Sequence, residues 1–252
     1  MTSFVIPTYD REDTIIRCLN SIYSLNGLKK FEIIVVDDAS GDNTISLVKK
    51  NFPKAKIIKN DYNRGPAYSR NIGIKNAKGN YIFFVDSDVF LTKNVLKKLI
   101  KYKDYDIIFP KIIFEDKTVM YPSNKNEETY LKASTVFLMN KESIIKNNIF
   151  FDELYYMVEE DTDFFIRCKL KGLKCKYVDD AIAIHATKSE VSLMPERKYY
   201  LTTKNYIYAF IKFLNIPKDV KRLFNFPKFS LIIKAFIMAL FKKQAILILD
   251  PY

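Results

Sequence analysis

Short runs of apolar residues alternate with helical patterns along the first 110 residues. The runs that predict buried strands are SFVIP (3–7), FEIIVV (31–36), AKIIK (55–59), YIFFVD (81–86) and YDIIFP (105–110). Between them, apolar residues spaced three and four apart predict helices, with Asp10, Asp13 and Thr92 as capping candidates. Strands of continuous apolar residues alternating with helices are typical of a mostly parallel sheet with both faces covered, a Rossmann-like α/β half.

The order of elements changes after residue 110. The segments KIIFED (111–116), TVMYP (118–122) and ASTVFLMN (133–140) predict strands with little helix between them. A helix is predicted near 160–171 with Gly172 as its C-cap, and it is followed by the strands KCKYV (174–178) and AIAIHA (181–186). Helices broken by Pro217 and Pro227 complete the chain. We therefore predict a domain over 1–196, divided between 1–110 and 111–196, and a helical C-terminal region over 197–252.

Composition narrows the class of protein. The 252 residues are 48% hydrophobic and 15% aromatic, which suits one α/β domain with an appendage. The three cysteines form no CxxC motif, which favours buried thiols in a reducing compartment. The N-terminus has no signal-peptide pattern, and no apolar run of about 18 residues predicts a membrane span. These features predict a cytoplasmic protein.

Charge is concentrated at the C-terminal end. The net charge is +12, and residues 197–252 hold 11 Lys or Arg against 2 acids. The segment FSLIIKAFIMALFKK (229–243) is too short and too charged to span a bilayer, but it suits an amphipathic helix at an anionic membrane surface. Packing against the first domain, or against a second copy in a homodimer, is the alternative. Nucleic acid is not expected as a partner, because no nucleic-acid motif is present.

Acidic residues follow three of the predicted strands. The first strand ends in Pro7-Thr8-Tyr9-Asp10, the second in Asp37-Asp38 and the fourth in Asp86-Ser87-Asp88. Ligands of open α/β sheets bind at the carboxyl ends of strands, although Asp also favours ordinary turns there. Neither GxGxxG nor GxxxxGK[ST] is present. Acids in this arrangement suit Mn²⁺ or Mg²⁺ bridging a carboxylate to phosphates, with the other acid of the D-x-D pair on a ribose hydroxyl.

An ordered set of motifs then points to a family. These are VIPTYDRED (5–13), EIIVVDDASGDNT (32–44), NRGPAYSRNIGI (63–74), YIFFVDSD (81–88) and EEDTDFFIRCKLKGLKCKYV (159–178), followed by His185. Together they resemble the family 2 glycosyltransferases of the GT-A fold over about residues 3–187. The resemblance implies an inverting, metal-dependent transfer of sugar from a nucleotide-sugar donor. It makes 1–110 the nucleotide-binding half and 111–196 the acceptor half of a catalytic domain.

The resemblance also implies a role for each matching residue. Pro7, Thr8 and Tyr9 would line the nucleotide pocket, and Asp38 would read the base. Arg70 would lie beside the base or the phosphates, while Asp86 with Ser87 would contact the ribose side of the donor. The remaining roles are the metal ligand Asp88, the metal or diphosphate contact His185, the general base Asp161 and its competitor Glu160.

Each assignment has a simpler alternative. The acids over 159–163 could cap a helix, His185 could be an ordinary core residue, and Arg70 could be a solvated charge. The chain has no tryptophan and so lacks the Q-x-x-R-W element of processive members, which predicts transfer of a single sugar, with a polyprenyl-linked glycan as one candidate acceptor. The alternatives for function are a non-catalytic sugar-nucleotide or glycan-binding module, or a sugar nucleotidyltransferase. The latter needs a glycine-rich loop that PTYDRED does not supply.

Overall fold

The computed structural model describes residues 1–121 and 135–186, and, further along, residues 201, 202, 204, 205, 207–209 and 212. The chain divides into two compact units, Met1–Glu190 and Val191–Tyr252. The segment 229–243 lies outside the described residues, so its role stays a prediction, as does the boundary between 196 and 197. Among the helices that the structure describes, none has the length and hydropathy needed to cross a membrane.

Strands and helices alternate along the first unit as far as the fourth strand. The strands are β1 Thr2–Thr8, β2 Phe31–Asp37, β3 Lys56–Lys59, β4 Tyr81–Val85, β5 Val89–Leu91, β6 Ile107–Phe114, β7 Val119–Tyr121, β8 Val136–Asn140 and β9 Cys175–His185. The helices are α1 Ile15–Tyr23, α2 Thr44–Asn51, α3 Gly65–Asn76, α4 Val95–Leu99, α5 Lys141–Lys146 and α6 Glu160–Leu170, and a 3₁₀ turn, Ile100–Tyr102, follows α4.

One mixed sheet carries all these strands. Its order is β3-β2-β1-β4-β8-β6-β9-β5, with β7 paired to β6. Strands β3, β2, β1 and β4 run parallel, β8 is antiparallel to β4 and to β6, and β9 is parallel to β6 but antiparallel to β5. The carboxyl ends of β1, β2 and β4 therefore meet at one edge of the sheet. Pairing of Val89 with His185 brings the end of β9 to the residues that follow β4.

The core forms where helices cover the apolar strands. Strand β1 is buried along its whole length, as expected for a central strand covered on both faces. Helix α1 buries Ile15, Cys18, Leu19 and Ile22, which recur at helical spacing and form one face. Helix α3 packs closely on β1 because Gly73 has no side chain: a Cβ there would lie 2.1 Å from Cγ1 of Val5.

Some predicted boundaries need correction. Segments 105–110 and 111–116 form the single strand β6, and 174–178 and 181–186 belong to the single strand β9. The register against β6 shifts from Val178 directly to Ile182, so the residues between them form a bulge that resembles a strand break in the sequence. Strand β5 and helix α5 were not predicted. Both are short, with three and six residues.

The capping predictions were wrong. Helix α1 begins after Thr14, which makes no side-chain capping bond, and Oδ1 of Asp10 instead accepts a hydrogen bond from the Gly41 amide at 2.8 Å. Thr92 donates its hydroxyl to the carbonyl of Ile182 at 2.6 Å, so it ties the residues before α4 to β9 rather than capping the helix. Both polar side chains have partners distant in sequence, which local spacing does not reveal.

Candidate active site

The carboxylate of Asp38, just after β2, is fixed by the start of α3. Its Oδ1 accepts hydrogen bonds from Nδ2 of Asn60 at 2.7 Å and from the Arg64 amide at 2.9 Å, and its Oδ2 accepts one from the Gly65 amide at 2.7 Å. The positive end of a helix dipole stabilises a carboxylate in this position. An ionised carboxylate has about four acceptor positions, so room remains for one more donor from a ligand.

The end of β1 supplies an apolar wall and an exposed ring. Pro7 is buried and pairs with Val36, while Tyr9 is 45% exposed. Thr8 is buried, and its hydroxyl has no hydrogen-bond partner among the described atoms. A buried polar group without a partner requires an explanation, and contact with a ligand is one.

Arg70 joins two parts of the molecule that are distant in sequence. It projects from α3 and is 3% exposed. Its Nη1 donates to Oε1 of Glu160 at 2.9 Å, and its Nη2 donates to Oδ1 of Asp86 at 3.0 Å. The guanidinium is therefore not a solvated charge. It connects the end of β4 to the first turn of α6, while its Nε is buried and has no hydrogen-bond partner among the described atoms.

Asp86 lies in a strongly desolvated position. Burial raises the pKa of its carboxyl to about 6, the negative charge of Asp88 adds to the rise, and the Arg70 guanidinium opposes it. The side chain retains 26% of its exposed surface, so the carboxylate can still be reached by a ligand. Ser87, between the two acids, is buried.

Asp88 and His185 face each other across the β5–β9 pair. Oδ1 of Asp88 lies 3.7 Å from Nε2 of His185, and its Oδ2 lies 3.7 Å from Nε of Arg11. The amide of Ala186 donates to the Asp88 carbonyl at 2.8 Å, which fixes the two strands together. Nδ1 of His185 is 2.8 Å from the Ala186 carbonyl. Because a carbonyl only accepts hydrogen bonds, Nδ1 of the neutral ring carries the proton and Nε2 keeps its lone pair.

The Asp88 and His185 donors fit a divalent metal in part. A carboxylate oxygen and a neutral imidazole nitrogen on facing strands are both recognised metal ligands, and the second ring nitrogen has the backbone partner that usually orients such a histidine. Within residues 1–121 and 135–186, no group of three or more His, Cys, Asp or Glu forms a complete metal site. The remaining ligands would have to come from phosphate oxygens and water, as is usual for Mg²⁺.

The acids at the start of α6 have different surroundings. Asp163 is fully buried and accepts a hydrogen bond from Nε of Arg167 at 2.7 Å, which makes it part of a structural ion pair. Glu160 is 6% exposed and is held by Arg70. Asp161 is partly exposed, and its Oδ1 accepts from the Thr162 amide at 2.7 Å. Glu159 occupies the N-cap position but makes no side-chain capping bond. Simple capping therefore does not account for this cluster.

The chain enters α6 through a strained turn that is held against α3. Val158 and Glu159 have φ values of 72° and 68°. A β-branched residue in the left-handed region is a genuine outlier, and it persists only where surrounding contacts fix it. One such contact is the hydroxyl of Tyr156, which donates to Oδ1 of Asn63 at 2.7 Å.

Asn71 holds the segment that leads into this turn, and sequence reasoning missed it. Its side chain donates to the Phe151 carbonyl at 2.9 Å and to Oε1 of Glu153 at 2.8 Å, and it accepts from the Phe151 amide at 2.8 Å. Asn60, which binds Asp38, was missed as well. Asn71 directly follows Arg70 in the motif NRGPAYSRNIGI (63–74), and this position is the sequence feature that could have identified it as a site residue.

Comparison with known proteins identifies the family of the chain. Residues 3–168 match the profile described as Glycosyl transferase family 2. The chain belongs to this family. This match confirms the predicted membership of family 2. The solved structures described below confirm the predicted GT-A fold.

Two of the similar proteins are named for poly(ribitol-phosphate). The poly(ribitol-phosphate) β-N-acetylglucosaminyltransferase TarS of Staphylococcus aureus is 29% identical over 204 residues, covering 75% of this chain and 36% of TarS. A poly(ribitol-phosphate) β-glucosyltransferase of Bacillus spizizenii is 29% identical over 229 residues, covering 82% of this chain and 36% of that protein. The chain therefore spans about a third of the length of these relatives.

Solved structures show the same fold. The crystal structure of S. aureus TarS 1-349 in complex with UDP-GlcNAc superposes with a TM-score of 0.69 at 25% identity, covering 88% of this chain and 69% of that one. The mannosyltransferase PcManGT of Pyrobaculum calidifontis, in complex with GDP-Man and Mn²⁺, superposes with a TM-score of 0.66 at 17% identity, covering 99% of this chain and 81% of that one. The second similarity concerns the fold alone.

Proposed function

We propose that this chain is an inverting glycosyltransferase that moves a single sugar from a nucleotide-sugar donor to an acceptor hydroxyl with the help of a divalent metal. The observation that carries this proposal is the arrangement around Arg70, which contacts Asp86 at the end of β4 and Glu160 beside Asp161, while Asp88 lies 3.7 Å from His185. Family membership and the likeness to a TarS structure that holds UDP-GlcNAc support a nucleotide-sugar as the donor.

The nucleotide would occupy the ends of β1, β2 and β4. Pro7 and Tyr9 offer an apolar surface for a base, and Asp38 has an acceptor position for a base N–H group. Among the described atoms, the hydroxyl of Thr8 and Nε of Arg70 are buried and have no hydrogen-bond partner, so both are available to donor oxygens. The Asp86 carboxylate, with neighbouring Ser87, would take a ribose hydroxyl.

Asp88 and His185 would hold the metal against the diphosphate. A divalent metal supplies neutralisation of the charge that develops on the departing nucleoside diphosphate. The Ala186 carbonyl orients the His185 ring, and the Ala186 amide fixes the backbone of Asp88 through its carbonyl. Little reorganisation is needed on binding, which favours transition-state stabilisation.

Asp161 is our choice for the general base. The acceptor hydroxyl must lose its proton as it attacks, so it needs a carboxylate within hydrogen-bonding distance. Asp163 is fully buried in an ion pair and Glu160 is held by Arg70, whereas Asp161 keeps partial exposure. A single base opposite the leaving group gives direct displacement and inversion at the anomeric carbon.

The acceptor proposal rests on the relatives and on charge. TarS and the Bacillus enzyme are named for a poly(ribitol-phosphate) acceptor, a polyanion, and residues 197–252 of this chain carry a net positive charge. We infer a glycan or polyol-phosphate acceptor, attached to a polyprenyl-type lipid where it grows at a membrane. Cytoplasmic location, contact of 229–243 with an anionic membrane surface, and a homodimer belong to the same proposal.

The test is a panel of nucleotide-sugars, each with and without Mn²⁺ or Mg²⁺. A donor that binds the folded state should raise the melting temperature by mass action, and the shift should depend on metal. Addition of a poly(ribitol-phosphate) acceptor should then yield nucleoside diphosphate and a glycosylated polymer. The variant Asp88→Ala should lose the metal-dependent shift and at least about 100-fold of the turnover.

A matched control is Asp180→Ala, because Asp180 is an exposed acid paired with Lys98 on the bulge of β9. This variant should retain both the melting-temperature shift and the turnover. If the panel gives metal-dependent binding but no transfer, the non-catalytic binding module replaces our proposal. If full turnover persists in Asp88→Ala, the metal role is wrong.

A further inference from the structure

Two adjacent carboxylates, Glu160 and Asp161, begin α6, and either has the chemistry of a base. They differ in what holds them. Glu160 is 6% exposed, and its Oε1 accepts a hydrogen bond from Arg70 at 2.9 Å. Asp161 is partly exposed, and its Oδ1 accepts a hydrogen bond from the Thr162 amide at 2.7 Å.

Arg70 fixes the distance between the two sides of the site. Its guanidinium is planar and rigid, and it uses separate nitrogens for Glu160 at 2.9 Å and Asp86 at 3.0 Å. Asp86 ends β4 on the donor side, and Glu160 opens the helix that carries Asp161. Because Arg70 is 3% exposed and Glu160 is 6% exposed, breaking the contact between them leaves a buried charge unpaired. The bridge therefore resists changes in the separation of β4 and α6.

The segment before α6 needs such a constraint. The left-handed residues Val158 and Glu159 directly precede Glu160, and strain of this kind relaxes unless contacts on both sides hold it. Asn71 anchors the segment at Phe151 and Glu153, and Arg70, the preceding residue of α3, anchors it at Glu160. Adjacent residues of one helix thus contact both ends of the segment 151–160, which contains the strained turn.

We propose that Glu160 and Arg70 are positioning residues, which set the place of Asp161 relative to the donor, and that Glu160 does not accept the acceptor's proton. This inference rests on the proposed glycosyl transfer, with Asp161 as the base. A positioning role requires only that the side chain at 160 accept the Arg70 hydrogen bond, whereas a base requires a titratable carboxylate.

The substitutions Glu160→Gln and Glu160→Met separate the two roles. Glutamine keeps an oxygen that accepts from Arg70, so kcat should stay within about tenfold of the original, because a neutral acceptor gives a weaker bond than a charged one. Methionine has similar length but no acceptor, and misplacement of Asp161 should lower kcat by about 100-fold. Asp161→Asn should lower kcat by about 100-fold to 10,000-fold, as loss of a general base does. If Glu160→Gln lowers kcat as much as Asp161→Asn does, the proposal is overturned.

The assay uses the full chain, Mn²⁺ and UDP-GlcNAc, with release of UDP measured in the presence of poly(ribitol-phosphate) and the affinity for UDP measured separately. Glu160→Met should lower kcat while the affinity for UDP changes less than about threefold, because an interaction made only on the reaction side affects turnover rather than nucleotide binding. A tenfold loss of UDP affinity in that variant would show that residue 160 serves donor binding.

Non-additivity tests the bridge itself. Arg70→Lys keeps the charge but loses the fork, so it can reach only one of the two carboxylates. If the two residues act as one unit, adding Arg70→Lys to Glu160→Met should lower kcat by less than the product of the two single effects. Fully multiplicative effects would separate the two residues and refute the bridge.

The control is Arg167→Lys, the same substitution in the structural pair with Asp163 on the same helix. It should lower the melting temperature while keeping kcat within about twofold, since Arg167 lies outside the proposed site. Loss of kcat equal to that of Arg70→Lys would mean that general loosening of α6 accounts for the result.

Hydrogen exchange gives a readout that does not depend on turnover. Peptides covering 151–168 should exchange faster in Glu160→Met and Arg70→Lys but not in Glu160→Gln. If the unmodified chain releases no UDP, the proposed function with this donor fails, and the exchange data still decide whether Arg70 and Glu160 hold the segment. Equal exchange in all variants would refute the positioning role.

Discussion

Gly65 offers a sharp test of how α3 meets the segment before α6. It has a φ of +84°, and a Cβ built there would lie 2.0 Å from the carbonyl oxygen of Tyr156. Its amide also donates to Oδ2 of Asp38 at 2.7 Å. The substitution Gly65→Ala therefore imposes an unfavourable backbone conformation and, in addition, a collision with a backbone atom.

The magnitude follows from these two terms. A side chain in the left-handed region costs about 1–2 kcal/mol. An overlap of this kind forces the backbone to shift, and overpacking of this sort lowers the free energy of unfolding by about 1–3 kcal/mol. The free energy of unfolding should thus fall by about 2–5 kcal/mol. For a unit of this size each kcal/mol corresponds to about 2–4 °C, so the melting temperature should drop by about 4 °C or more.

Gly172→Ala is the matched control. Gly172 has a φ of +75°, but a Cβ there would meet no atom within 4 Å, so this variant has only the conformational cost, about 1–2 kcal/mol. Urea and thermal unfolding of the full chain, followed by circular dichroism, give both changes. Gly65→Ala should be the more destabilising by at least about 1 kcal/mol and should weaken nucleotide binding through Asp38. Equal losses in the two variants would refute the close approach of Tyr156 to α3.

Two further predictions concern buried groups. Burial raises the pKa of the Cys18 and Cys168 thiols, so the reactive thiolate is scarce at these two residues even at pH 8. Ellman's reagent should therefore modify the less buried Cys175 first, and it should modify Cys18 and Cys168 only when urea unfolds the protein. Modification of all three cysteines at the same rate in the native protein would contradict this prediction. Asp163→Asn should lower the free energy of unfolding by about 3–5 kcal/mol, because Arg167 loses the charge of its buried partner. Urea unfolding measures this loss. A change below about 1 kcal/mol would show that the Asp163–Arg167 ion pair contributes no more than an exposed one.

Much of the fold could be predicted because the buried strands have distinctive patterns. Strand β1 was expected over 3–7 and β2 over 31–36, and they are observed at Thr2–Thr8 and Phe31–Asp37. The strands of the second half were harder, since a bulge divides the apolar pattern of β9 and the antiparallel β8 follows β4 in the sheet but not in the sequence. Pairing of distant segments leaves no periodic signal in either segment.

The candidate site shows the same division. Local spacing placed Asp86 and Asp88 at the end of a buried strand, and the structure has them there. It could not show that Arg70 lies between Asp86 and Glu160, because these residues are 16 and 90 positions away along the chain. The roles assigned to the individual site residues stay predictions, since each concerns a ligand.

The sequence by itself determined the α/β class, the acids at the strand ends and the family, because each depends on local order along the chain. Only the tertiary structure distinguished the four acids at the start of α6. Their sequence neighbours are nearly the same, but Asp163 contacts Arg167 while Glu160 contacts Arg70. Desolvation and ion pairing depend on what lies across a contact, and those neighbours are fixed by folding rather than by adjacency in the chain.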